Sequence, residues 1–439
     1  MILANKLMEV TNRVATSHSF FPYFTAPDPK LIKSGGGRDP LGLQPVWSAF
    51  GRGLVPNLSS PVTQINGINA VLLIHWLFEK PLAKFFSDEE RSFRDFFRLM
   101  GGLLEYYCWN SSTSHNANCY GTRALSADGD AFKVIADDHR TAVNGLYQYY
   151  RGTCRRADLL SNEWMVSSAV DETFSKCWNS QAINALESVL TDPLSKRKAA
   201  LLPADVFSKH HALKKAVAST FSSTELRKIL RVQLLGEACH VAFAKKCAEL
   251  TGQKESVGKE GWIYWYFQQL ENWMEQEGCP AKILNDNLQH AQKCEPFLLV
   301  LQDCFDFMLA SPSMKLSEVA KDLNKFKQEI QGRAIAFLQL SPFLDTERMR
   351  QMNLLAEKAL CGTEDFLTAL VEHHRKCMEE RYRDPQVVLD EGKLIVPGPS
   401  EQSKMAILDR LKTGNPWSNG YYLWNAGEIY RQLFPGGDK

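Results

Sequence analysis

No apolar run in this chain approaches the roughly 18–20 residues that a membrane span requires. The longest, Ala70–Phe78, is about half that length and fits a buried core helix. Charge of one sign is lacking too: 51 Lys and Arg stand against 50 Asp and Glu, a formal net charge of +1. That balance argues against a general polyanion binder and leaves a local basic face as the electrostatic route to nucleic acid. No CxxC pair occurs, so the sequence holds no zinc knuckle. Gly35-Gly36-Gly37-Arg38 lacks both a preceding strand and a GxxxxGK[ST] pattern, and GxSxG is missing, so neither a P-loop nor a nucleophile elbow is present. No internal repeat of fixed period marks a regular solenoid. The opening MILANKLMEV is too short for a signal peptide and carries Lys6 and Glu9.

The 439 residues are 44% hydrophobic and 11% aromatic, enough for a large core spread over two or three domains. The 11 cysteines sit largely in helix-like contexts such as EACHVAFAKKCAEL. They read as reduced thiols serving as small hydrophobes, which predicts a cytoplasmic protein.

Helical signals dominate. A Gly/Pro-punctuated block, Gly35–Asn69, carries interleaved Leu41, Leu43, Val46, Trp47, Phe50 and Leu54 and leads into an apolar helix, Ala70–Glu79. It reads as a packed, irregular lead-in, since a disordered linker would not carry those side chains. Ser87 with Glu90 forms a capping box ahead of RSFRDFFRLMGGLLEYYCW, and Ser222 with Glu225 forms another ahead of a helix running to Gly252. GWIYWYFQQLENWMEQEG is aromatic on nearly every side and predicts burial, with a stop at Gly278 and Pro280. Further helices are predicted over 204–219, 281–290, 297–309, 317–339, 345–360, 364–381 and 401–412. VVLDEGKLIVPG predicts a β-hairpin with a four-residue turn, Asp390–Lys393. The aromatic tail GNPWSNGYYLWNAGEIYRQLF should dock on the body. Asn110–Ala131 reads as a long surface loop. The expected fold is mainly α: a multi-helix array or bundle with the irregular lead-in and a small hairpin near the C-terminus. A linker near Leu190–Pro203 would divide it into domains 1–190 and 191–439.

Four groups of residues bear on chemistry. Cys108, His115 and Cys119, with Cys154 as a possible fourth, have the side chains of a zinc site, against the favoured reading of structural thiols. Asp128, Asp130, Asp137, Asp138 and His139 would suit a divalent metal for phosphodiester hydrolysis, against a turn followed by a helix start where acids suit the dipole. Arg140, Arg151, Arg155 and Arg156, interleaved with Tyr147, Tyr149 and Tyr150, form the best nucleic-acid patch: arginine grips phosphate bidentately and tyrosine stacks on bases. The competing reading is a solvated face with core tyrosines. His373 and His374 lie on one predicted helix, His374 packed and His373 exposed; no HExxH is formed. His210 and His211 read as structural histidines. Arg38, Asp39, His373 and Arg375 are candidate partner-surface residues.

RDPLGL…W…G…LVPNLSSPVTQIN, followed by the helix bearing His75-Trp76, resembles a block near the start of large, helical, poorly characterised bacterial proteins found among restriction and phage-defence genes. EHHRKCMEERYRDPQVVLDEGKLIVP resembles their closing element, a His/Arg-bearing helix and a short hairpin. The blocks cover about a quarter of the chain. Related blocks place an Arg after the Thr, where this chain has Thr63 followed by Gln64, Ile65 and Asn66. The resemblance implies an accessory, complex-forming role in DNA-directed defence. With many amphipathic helices and no intact catalytic signature, the leading expectation is a non-catalytic subunit of an antiphage or restriction complex, without a cofactor. Its partners would be other protein subunits such as an ATPase or nuclease, with DNA as a further option. The alternatives are a metal-dependent nuclease or phosphoryl hydrolase built on the acidic cluster, and a structural scaffold that never touches nucleic acid.

Overall fold

The computed structural model describes residues 39–59, 62–83, 92–110, 134–135, 146–196, 200–253, 261–277 and 282–436. The chain is mainly α-helical, with a small antiparallel hairpin, Val388–Asp390 with Lys393–Ile395, near its C-terminus. Among the described residues no helix is long and apolar enough to cross a membrane. Two compact units are present. One comprises Met1–Gln44, described from residue 39, and Phe297–Gly414; the other comprises Pro45–Pro296 and Asn415–Lys439. The stretch expected to link domains falls within the second unit, and its residues 191–196 continue the helix Ser180–Lys196.

Within the second unit, order in the lead-in takes helical form. Gln44–Leu54 is a helix that buries Val46, Phe50 and Leu54, because these residues recur on one face despite Gly51 and Gly53. The apolar helix starts at Ile65 rather than Ala70 and runs to Glu79. It is buried from Ile65 to Leu77 except at Asn66. Asn69 and His75 thus sit in a core position without apolar side chains.

Gly67 makes the close packing of this helix possible. A Cβ there would lie 2.2 Å from the ring of Tyr150, which is fully buried. The ring cannot yield without displacing core neighbours. Gly67→Ala should therefore destabilise the protein by about 1–3 kcal/mol or more, read as a lowered thermal midpoint; an unchanged midpoint would contradict this packing.

The expected helix through Gly252 is broken at Gly236, whose φ of +69° no helical residue adopts. The helices Thr224–Leu235 and Ala238–Gly252 result, and the cap is Ser223, not Ser222: its hydroxyl accepts from Leu226 N at 3.1 Å. Likewise the 204–219 helix divides at His210 into Pro203–Lys209 and His211–Phe221. Conversely, the two helices expected on either side of Pro296 form one, Lys282–Leu309. The proline removes only the N–H that would bond the Gln292 carbonyl. Trp262–Glu277 is helical as expected, and the aromatic tail contributes a further helix, Leu423–Leu433. That helix approaches Ala238–Gly252 through Gly427, whose added Cβ would meet the Cys247 carbonyl at 2.9 Å. Ser87, the predicted cap, and the predicted surface loop Asn110–Ala131 lie outside the described residues, except that Asn110 ends the helix Ser92–Asn110.

The first unit carries the hairpin and the helices around it. The turn is two residues long, not four. Asp390 pairs with Lys393, and Glu391 and Gly392 both have positive φ, 46° and 77°, as a type I′ turn demands. The 317–339 helix is interrupted by a 3-10 turn, Asn324–Phe326, between Leu316–Leu323 and Lys327–Leu338. Arg410, on the helix Lys404–Thr413, bonds Asp303 at 2.7 Å and Asp306 at 3.3 Å. Burial nonetheless lifts Asp303 to about 6.

Candidate functional site

In the first unit, residues 39–41 meet the helix Thr363–Glu379 and the turn that follows it. The Pro40 carbonyl accepts from His374 Nδ1 at 3.0 Å, and Gln386 N donates to His374 Nε2 at 2.8 Å. The ring is thereby fixed as the neutral Nδ1–H tautomer. His373, expected to be exposed, is buried and lies 2.8 Å from the Leu41 carbonyl. Its position one helical turn before Cys377 puts its Nε2 3.3 Å from that thiol, and Arg348 Nη1 donates to the same sulfur at 2.9 Å. The trio resembles an activated thiol in composition but not in state. Cys377 is fully buried, and desolvation pushes its thiol up. Asp39 is half-buried and spent: its carboxylate accepts from Leu43 N and Gln44 N and pairs with Arg381. Arg375 is paired on its own helix with Glu372 and Glu379. Arg38 lies outside the described residues. The candidate partner residues that are described thus serve internal contacts in this unit.

The arginine patch lies in the second unit and is split by burial. A π-helical turn, Leu146–Tyr150, runs into the short helix Arg151–Arg156. Arg151, expected at the surface, is buried. Its guanidinium carbon lies 4.2 Å from the Tyr147 ring centroid and 3.8 Å from that of Trp164, and its Nε donates to His75 Nε2 at 3.0 Å. Cation–π contacts and a neutral acceptor replace a carboxylate there. Burial, then the charge of Arg151, drive His75 down to about 3. Arg155 and Arg156 stay exposed. Arg155 lies over the outer part of the cage, 4.9 Å from Trp164, and donates to Asn162 at 2.9 Å. Tyr150 belongs to the core. Arg140 and the acidic group Asp128, Asp130, Asp137, Asp138 and His139 lie outside the described residues, as do His115 and Cys119; Cys108 and Cys154 are buried free thiols.

Arg156 reaches a second arginine. Partial desolvation, then the charge of Arg52, lower its guanidinium, while Tyr422 acts in the other direction. Arg156 also donates to Thr153 Oγ1 at 3.0 Å. Among the described residues neither Arg52 nor Arg156 forms an ion pair with a carboxylate. Arg52 shares the helix Gln44–Leu54 with Trp47, whose ring lies 5.3 Å from that of Tyr422. Trp47 and Tyr422 line an aromatic cleft of about 260 Å³ with Trp262, Tyr421, Trp424 and Asn425. Trp262 and Trp424 meet edge to face at 5.9 Å and 79°. Among the described residues no charged side chain lines the cleft. A larger open groove of about 520 Å³ is lined by Glu187 and by the ion pair of Lys80 with Asp171, 3.3 Å apart.

The cleft is held in a costly conformation. Tyr421 and Tyr422 both have left-handed backbone, φ 45° and 64°, worth about 1–3 kcal/mol of strain each. Glu295, fully buried, compensates. One carboxylate oxygen accepts from Ser418 N at 2.9 Å and Asn419 N at 3.0 Å, the other from Asn419 Nδ2 and the Tyr421 hydroxyl, both at 2.9 Å. Desolvation raises its carboxyl, and these donors act against that rise. Trp47, Arg52, Trp262, Tyr422 and Trp424 were not singled out from sequence as site residues. The signal available was the aromatic density of VWSAFGR and GNPWSNGYYLWNAG, read only as packing. No protein-family model, curated protein or solved structure matches the chain.

Proposed function

We propose that this chain is a non-catalytic, nucleic-acid-binding subunit of a bacterial DNA-directed defence assembly, engaging single-stranded DNA through the Arg52–Arg156 face and its aromatic cleft. The observation that carries the reading is an arginine pair with no carboxylate partner among the described residues, beside rings of the cleft. Two like charges left unneutralised cost free energy that a phosphate recovers, and adjacent rings offer a sequence-tolerant platform for bases. The defence context comes from the resemblance of the two sequence blocks alone; within the first unit Asp39, Pro40 and Leu41 contact Arg381, His374 and His373.

Fluorescence anisotropy with a labelled oligothymidine of about 15 nucleotides tests this. Affinity should fall with salt, and the double variant Arg52→Ala, Arg156→Ala should flatten the log–log slope by about 1.4, two phosphates' worth for a single strand. Trp424→Ala should weaken binding about 5- to 150-fold, the span of one stacking contact, at unchanged slope. No binding at about 50 mM salt, or an unaltered slope in the double variant, would overturn the proposal. Deleting the gene in its host should raise phage plating efficiency; equal plating would remove the defence role.

A further inference from the structure

The break at Gly236 does more than end a helix. Gly236 has φ +69° and ψ −123°, and Glu237 follows in extended conformation, φ −71° and ψ 160°, as the residue before the helix Ala238–Gly252. This sharp re-aiming brings the Glu237 side chain back beside Cys239 and His240, in the helix's first turn. Glu237 Oε2 lies 3.8 Å from Cys239 Sγ, and Cys239 Sγ lies 3.7 Å from His240 Nδ1. The three donor atoms fall within 4.8 Å of one another. A tetrahedral zinc ion with Zn–S near 2.3 Å and Zn–N or Zn–O near 2.0–2.1 Å sets its sulfur-to-nitrogen and sulfur-to-oxygen edges at about 3.6 Å. The observed separations match those edges within a few tenths of an ångström.

We propose that Glu237, Cys239 and His240 form a binding site for a zinc-like divalent ion, with one carboxylate, one thiolate and one imidazole ligand and a fourth position open to water. The ligand types select the ion. A thiolate with an imidazole suits zinc, whereas calcium and magnesium demand oxygen ligands. The arrangement also supplies access, for Glu237 is exposed, His240 half-buried and Cys239 buried. Binding then converts one thiol to a thiolate and releases one proton to solvent.

Cobalt(II), added to the full-length protein after chelator treatment, is the probe. One equivalent should produce a thiolate-to-cobalt charge-transfer band and the visible bands of a tetrahedral ion, both bleached by zinc. Cys239→Ser should abolish the charge-transfer band while leaving the circular dichroism of the fold unchanged. Glu237→Gln, at an exposed N-cap position whose side chain makes no capping hydrogen bond, should weaken cobalt binding at least tenfold. Absence of the band in the wild-type protein, or its persistence in Cys239→Ser, would overturn the site and leave these contacts as helix-start hydrogen bonds. Unweakened binding in Glu237→Gln would do the same for the three-ligand set.

Discussion

Glu295→Ala should destabilise the second unit by about 3–5 kcal/mol, through the buried donors it leaves unsatisfied. The carboxylate is completely buried and its oxygens face donors only. Removing it strands two backbone N–H groups, a side-chain amide and a tyrosine hydroxyl, each worth about 1–3 kcal/mol when left unsatisfied. The same donors belong to the segment whose Tyr421 and Tyr422 sit in left-handed backbone, so nothing would then hold that strain. The loss should be local before it is global. Amide exchange should accelerate first at Ser418 and Asn419, and the oligothymidine affinity should fall with it. Glu295→Gln should be intermediate. Its new amide group fits best toward Asn419 Nδ2 and the Tyr421 hydroxyl, because the Asn419 amide can flip and a hydroxyl can accept. A denaturation midpoint for Glu295→Ala equal to wild type would show that solvent, not Glu295, satisfies these groups.

The parts legible in the sequence were those set by local periodicity. Phe93, Phe96, Phe97 and Met100 marked Ser92–Asn110, and Phe366, Leu367, Leu370 and Val371 marked Thr363–Glu379. Those spacings come from the 3.6-residue turn itself. Punctuation was legible only where one residue decided it. Gly236 sits inside an unbroken helical pattern, where a glycine reads as a tolerated cost of about 1 kcal/mol. Its positive φ became visible only in the structure. Pro296 shows the converse, since packing of the residues around it outweighed one lost hydrogen bond. The candidate site was the least legible part. Glu295 and Asn419 are 124 positions apart, and no local pattern couples an acid in a helix to an aromatic turn at the far end of the chain. His373 was misplaced for a related reason. Helical spacing put His374 on the packed face, but the Leu41 carbonyl that buries His373 is 332 residues away.

Acid should loosen the second unit through one residue above others. His75 Nε2 accepts from Arg151 Nε at 3.0 Å in a buried cage of Tyr147, Trp164 and Phe93. A second proton on that ring would replace the acceptor with a donor and set two cations against each other away from water. Burial and the Arg151 charge accordingly depress His75 to about 3, against an unfolded value near 6.5. The unfolded chain therefore binds the proton first as pH falls. The stabilisation is complete above about pH 6.5 and declines by about 1.4 kcal/mol per pH unit from there down to the folded value. His240 and His290 in this unit, and His373 and His374 in the other, are lowered in the same direction, so wild-type acid sensitivity alone does not isolate His75. His75→Gln does: its amide oxygen keeps an acceptor for Arg151 and cannot titrate. Urea midpoints measured from about pH 7 to pH 4 should fall more steeply for wild type than for His75→Gln, with the two curves converging on acidification. Parallel curves would mean that the His75 ring gains its proton in the folded state as easily as in the unfolded one, and that the Arg151 cage does not confine it.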